Sequence, residues 1–180
     1  MPSRKISDLV PAMRGPATTL VQRCAAKGVE MRVSATLRDP FEQARLWRQS
    51  RAIEEIKARI KELKQAGGPF LAHCLESVGP QSGKKVTGAV PGFSWHQWGE
   101  AMDVFWVVNG AAEWSSSKKV NGVNGYQLYA AEAVKLGLDA GGLWNSLKDW
   151  PHVQLQKASS PAKLFSVVDI DRAMAKKFGP

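Results

Sequence analysis

Apolar residues recur at helical intervals from the start of the chain. Ile6, Leu9, Val10, Met13, Leu20, Val21 and Cys24 share one face over residues 6 to 27, and Gly28 closes the run. Pro11 and Gly15-Pro16 interrupt the pattern, which predicts two shorter helices. Val29-Glu30-Met31-Arg32-Val33 alternates and reads as a strand. Asp39-Pro40-Phe41-Glu42 marks a helix start: Asp39 caps, Pro40 suits the first helical position, and Glu42 completes a capping box. A charged helical pattern then runs to about Ala66 and stops at Gly67-Gly68-Pro69. Ile53, Ile56, Ile60 and Leu63 form its buried stripe, and Glu55 with Arg59 makes a favourable i,i+4 pair.

Further along, the pattern shortens. Val104-Phe105-Trp106-Val107-Val108 is an apolar run of strand formers bounded by Asn109-Gly110. Residues 76 to 92 and 109 to 124 read as loops able to rim a cleft. Tyr126 to Leu136 predicts a helix ending at Gly137. A final helix is expected over about 161 to 178, with Leu164, Val167, Val168, Ile170 and Met174 as its apolar cover. Helices, then strands, then a helix fit an α+β class.

At 180 residues, 44% of them hydrophobic, the chain is expected to be one domain, residues 1–180, with no separate second module. Nothing approaches the ~20 consecutive apolar residues of a membrane span, so no transmembrane segment is expected. Met1-Pro2-Ser3-Arg4-Lys5 leads into no apolar stretch, and no secretory signal is expected. Cys24 and Cys74 are too few for a disulfide framework and should be reduced. The charge of +9 draws the chain to polyanions. Because the basic residues are dispersed and accompany no helix-turn-helix, zinc-finger or RNP-like motif, nucleic acid is not the expected partner.

Candidate chemistry concentrates in two segments, Ser94-Trp95-His96-Gln97-Trp98-Gly99-Glu100-Ala101-Met102-Asp103 and Asp149-Trp150-Pro151-His152. Zinc takes imidazole nitrogen and carboxylate oxygen, and a catalytic zinc keeps one position for water. His96, Asp103 and His152 offer two imidazoles and one carboxylate. Seven residues on a helix would put about 10.5 Å of rise between His96 and Asp103, too far for one metal. On a straight strand the two would point to opposite faces. The chain must fold back between them, and Gly99 is the natural bend. Asp103 then starts a buried strand with His96 folded beside it. His73, in the apolar stretch Phe70 to Leu75, is expected to pack rather than to ligate. Trp95, Trp98, Trp144 and Trp150 flank the proposed site, with packing as their expected role.

Ser-x-His-x-x-Gly-x-Ala-x-Asp followed by Asp-x-x-His resembles the zinc peptidases of bacterial cell-wall metabolism. That family holds D-alanyl-D-alanine carboxypeptidases, D-Ala-D-Ala dipeptidases and the L-alanyl-D-glutamate endopeptidases found as phage endolysins. Ser94, His96, Gly99, Ala101 and Asp103 match the first motif; Asp149 and His152 match the second. Pro151 and the upstream Gly141-Gly142-x-Trp144 are similar to the endolysin branch. Arg38 and Gln43 correspond to an N-terminal family element whose Gly and Tyr are missing here. The resemblance covers about residues 30 to 155.

It implies a small antiparallel sheet carrying the metal site, packed with helices, as in the hedgehog and DD-peptidase folds. The implied cofactor is Zn2+ held by His96, Asp103 and His152, although manganese, cobalt or iron suits such a donor set too. Asp149 is the implied base for the attacking water, Arg38 the stabiliser of the developing oxyanion and Ser94 a substrate contact. The function expected first is a bacteriolytic endolysin that hydrolyses the L-alanyl-D-glutamate bond of peptidoglycan. It would be a monomer without a separate cell-wall-binding domain, drawn to anionic cell-wall polymers by its charge, made in a host cytoplasm and acting on the wall after release. The alternatives are a D-alanyl-D-alanine carboxypeptidase or dipeptidase, and a non-catalytic zinc-stabilised cell-wall-binding module analogous to the hedgehog signalling domain.

Overall fold

Five short strands form one antiparallel sheet: β1 (Glu30–Ala35), β2 (Ala101–Val108), β3 (Ala111–Glu113), β4 (Asp139–Ala140) and β5 (His152–Gln154). The computed structural model covers residues 1–180. The strand order is β1-β2-β5-β4, with β3 also on β2. Trp106 and Val107 pair with both β1 and β3, and Asp103 pairs with both Ala35 and His152. β3 and β5 therefore share the edge of β2 opposite β1. Asn109 and Gly110 make the tight turn from β2 to β3 with φ of 50° and 78°. Positive φ at both central residues is what a two-residue hairpin needs. The segment expected to be loop thus begins with a strand. β1 also runs two residues beyond the expected 29–33, and its register shifts between Val33 and Ala35.

The chain packs as two compact units, and this sheet lies in the one built from Ser3–Leu37 and Gly99–Lys157. Its core gathers Met13, Leu20, Met102, Val104, Tyr126, Tyr129 and Val153, drawn from the sheet, from α1 (Pro11–Ala26) and from α6 (Gly125–Lys135), with Leu9 just before α1. Each such apolar side chain contributes about 1.5–3 kcal/mol when fully buried. α1 is one helix where the prolines predict two. Pro11 occupies its first turn and Pro16 lies inside it. A proline ring clashes with the Cβ of the residue before it, and Gly15 has none. Only a single 3-10 turn, Ile6–Asp8, precedes α1.

The other unit comprises Met1–Pro2, Arg38–Trp98 and Ala158–Pro180. Asp39 accepts from the Glu42 backbone N–H at 2.8 Å and starts α2 (Pro40–Arg48) as its sequence predicts. The long charged helix expected to reach Ala66 is broken. α2 ends at Arg48, Ser50 takes a φ of 55°, and α3 (Ile53–Gln65) begins afresh. Arg51, in that break, takes Glu55 at 2.9 Å, so the expected Glu55–Arg59 pair is replaced and Arg59 meets Glu62 instead. Ile56 and Leu63 are buried while Ile53 stays exposed.

α4 (Pro69–Ser77) occupies the apolar stretch after Gly68. Gly68 has no side chain to cap it, and buried Asp171 accepts from the Leu71 N–H at 2.9 Å instead. Asp171 belongs to α7 (Val167–Phe178), which starts later than the expected 161 because Pro161–Lys163 forms a separate 3-10 turn. Both cysteines are free and buried, one in the core of each unit. Burial pushes the Cys24 thiol up to about 11 and the Cys74 thiol to about 12, helped by nearby carboxylates.

Candidate metal centre

Asp103 and His152 are direct partners across β2 and β5, and Asp103 Oδ1 lies 2.9 Å from His152 Nδ1. Opposed residues of neighbouring strands share a face of the sheet. Two polar side chains on neighbouring strands are thereby turned toward one point. The backbone reinforces this: Val104 N–H donates to the Pro151 carbonyl at 3.1 Å, and the His152 N–H to that of Asp149 at 3.1 Å.

His96 sits on α5 (Trp95–Trp98), a single helical turn built by a reciprocal cap. Ser94 Oγ accepts from the His96 N–H at 3.4 Å, and Gln97 Oε1 accepts from the Ser94 N–H at 3.2 Å. This Ser-x-x-Gln capping box is visible in the sequence once α5 is known. It gives Ser94 a structural task in holding His96. Buried Gln97 and Gln43 extend the support: Gln43 Oε1 accepts from Gln97 at 3.1 Å and from Arg38 at 3.0 Å. The Arg38 N–H also donates to the His96 carbonyl at 3.2 Å. Gly99 makes the expected bend with a φ of 76°.

One ligand atom from each of His96, Asp103 and His152 lies within 4.8 Å of the other two. Zinc bonds of about 2.0–2.2 Å set tetrahedral ligand atoms roughly 3.3 Å apart, close to the 2.9 Å between Asp103 Oδ1 and His152 Nδ1. Both imidazoles are buried, which suits neutral nitrogen ligands. Two nitrogens and one carboxylate oxygen are a donor set that zinc accepts with a fourth position left over.

Asp149 is exposed at the turn before β5, and its charge reaches both His152 and Tyr129. Burial opposes a charge on His152, but the hydrogen bond and charge of Asp103, with Asp149 and Gln154 adding to them, outweigh it and hold its pKa above the ordinary histidine value. Tyr129 is fully buried, and desolvation followed by Asp103, Cys24 and Asp149 keeps its phenol well above the usual range. Gly141 and Gly142 fit the same turn closely. A Cβ on Gly141 would lie 2.3 Å from the Asp149 carbonyl oxygen, and one on Gly142 2.3 Å from the Trp150 ring.

Sequence reasoning missed Gln154. Its Oε1 lies 3.0 Å from His152 Nε2, and it is 1% exposed. The available signal was period-two alternation, which puts residue 154 on the face of residue 152. His73 is exposed, stacks edge-on with Phe41 and bonds Ser77, apart from the metal set. Of the flanking tryptophans, Trp95 is buried and donates to the Ala158 carbonyl at 2.7 Å, while Trp98 stacks on Phe165. Trp144 lies 5.4 Å from the His152 ring.

A sheet unit bearing the paired Asp103 and His152, with the exposed carboxylate of Asp149 at the turn before β5, defines a protein able to offer ligands to one divalent metal. The family VanY, D-alanyl-D-alanine carboxypeptidase, matches residues 7–138, and the chain belongs to that family. The matched span contains Arg38, His96 and Asp103 and ends before Asp149 and His152. Among solved structures, the chain is similar to the Serratia marcescens L-Ala D-Glu endopeptidase ChiX at 21% identity, covering 87% of this chain and 89% of that one, with a TM-score of 0.42. It is also similar to a mutant of the vancomycin-resistance D,D-pentapeptidase VanY from a VanB-type cassette, solved in complex with Zn(II). There the identity is 17%, the coverage 82% of this chain and 73% of that one, and the TM-score 0.45. No curated protein sequence matches the chain. No helix is long and apolar enough to cross a membrane.

Proposed function

We propose that this chain is a zinc-dependent peptidoglycan peptidase that hydrolyses the L-alanyl-D-glutamate bond of the stem peptide. The observation carrying the hydrolase reading is the convergence of His96, Asp103 and His152 within 4.8 Å. The choice of bond is supported by Asp149-Trp150-Pro151-His152 with Gly141-Gly142 packed against it, the sequence form of the endolysin branch. His96, Asp103 and His152 are the proposed ligands. Zinc, when bound, polarises the scissile carbonyl and lowers the pKa of water toward ~7.

The chain's own residues do the rest. Asp149 takes the proton of the attacking water and returns it to the departing amine. Its exposed position at the mouth of the turn leaves it open to both. Arg38, held by Gln43 at 3.0 Å, stabilises the negative charge that develops on the carbonyl oxygen. Ser94 orients substrate in addition to capping α5. The net charge of +9 concentrates the enzyme on anionic wall polymers, and action on the wall after release from a host cytoplasm is part of this reading.

Membership of the D-alanyl-D-alanine carboxypeptidase family favours a second reading, removal of a terminal D-alanine. Purified protein incubated with peptidoglycan fragments decides between them by mass spectrometry of the new termini. A new D-glutamate amino terminus supports the endopeptidase. Free D-alanine transfers the chain to the carboxypeptidase class. Intact fragments together with tight wall binding indicate a non-catalytic module.

A further inference from the structure

Gln154 stands on β5 between β2 and β4, opposite Ala101 on one side and Asp139 on the other. Its side chain is fully enclosed, and its contacts with Gln156, Asp139 and His152 fix which end of the amide faces which way. The Gln154 nitrogen donates to the Gln156 carbonyl at 2.6 Å and points to Asp139 Oδ2 at 3.5 Å. A backbone carbonyl and a carboxylate only accept, so the NH2 must face them. Oε1 is then left to face His152 Nε2 at 3.0 Å. An amide oxygen cannot donate, so His152 Nε2 must carry a proton. The nitrogen left to face a metal is Nδ1, the one already 2.9 Å from Asp103 Oδ1. Asp139 is itself anchored, since its Oδ2 accepts from Trp144 Nε1 at 2.7 Å.

We infer that Gln154 is a positioning residue for the metal centre: it accepts the His152 Nε2 proton, fixes the imidazole rotation and presents Nδ1 as the ligand. A hydrogen bond to the outer nitrogen of a ligating histidine sets its tautomer and raises its basicity, and losing such a partner lowers metal affinity by about 10–100-fold. The chain Trp144–Asp139–Gln154–His152 thus carries orientation from the 3-10 turn after β4 to the metal. This inference rests on the zinc reading above.

The test is the nitrogen chemistry of His152 in the zinc-loaded protein. A long-range 1H–15N spectrum of 15N-labelled protein should show His152 with Nε2 protonated and Nδ1 shifted by the metal. In parallel, zinc affinity by chelator competition is expected to fall about 10–100-fold in Gln154→Met. Should the methionine variant fail to fold, the parent spectrum decides alone. Zinc bound through Nε2, or a folded Gln154→Met variant with unchanged affinity, overturns this inference and leaves the peptidase reading standing. A protein that takes up no zinc overturns both.

Discussion

Asp103 and His152 meet Oδ1 to Nδ1 at 2.9 Å because the β2–β5 register makes them opposite residues. Forty-eight residues of chain between them are irrelevant to that geometry; one strand pairing sets it. Asp103→Ala and His152→Ala should each lower zinc affinity by at least about 100-fold and abolish hydrolysis with it. Zinc titration of each folded variant checks this.

The same pair predicts a pH dependence. His152 has its pKa raised in the fold, chiefly by Asp103 acting against the cost of burial. Its contribution to the stability of the metal-free protein is therefore fully present below the ordinary histidine value of about 6.5. It is lost as pH rises through the raised folded value. Metal binding runs the other way, since the Nδ1 proton must leave first. Zinc affinity should fall on acidification through that window, with one proton released per zinc. Calorimetric titration in buffers of different ionisation enthalpy counts that proton.

Asp149→Asn separates base from ligand. Loss of a positioned general base costs about 10²–10⁴-fold in rate, whereas zinc affinity should change little because Asp149 is not among the three ligands. Hydrolysis assays alongside zinc titration read both quantities, and retained activity would remove Asp149 from the mechanism.

Gly141 is required for a different reason. A Cβ there would lie 2.3 Å from the Asp149 carbonyl, a backbone atom that moves only with the whole 149–152 turn. Gly141→Ala should cost about 1–3 kcal/mol, as overpacking does, and weaken zinc binding because His152 ends that turn. Gly88→Ala, where a Cβ meets nothing within 4 Å, is the control expected to change neither. Thermal denaturation and zinc titration make the comparison.

Asp171→Ala should destabilise without touching the metal. It strands the buried Leu71 N–H that Asp171 now accepts from at 2.9 Å, a loss of about 1–3 kcal/mol. Urea unfolding should show it, and zinc affinity should be unaltered.

Local signals were legible wherever neighbouring residues decide the structure. The Asp39 cap with Pro40, the Asn109-Gly110 turn and the Gly99 bend all belong to that class. What escaped depends on distant partners. β5 is three residues long, too short for its alternation to mark a strand by itself, and only its pairing with β2 makes it one. The break after Arg48 puts Arg51 against Glu55, against the Trp47 ring at 4.1 Å and onto the Thr87 carbonyl at 2.9 Å. No periodicity reports that set of contacts. Gln154 escaped for the same reason, because its importance appears only when Asp139 and Gln156 fix its amide.

Zinc titration of the metal-free protein, followed by X-ray absorption at the zinc edge, tests the central claim most directly. The account predicts one equivalent bound by two imidazole nitrogens and carboxylate oxygen, with one nitrogen lost from the shell in His96→Ala. Uptake that is absent, or that leaves the shell unchanged in that variant, would contradict it.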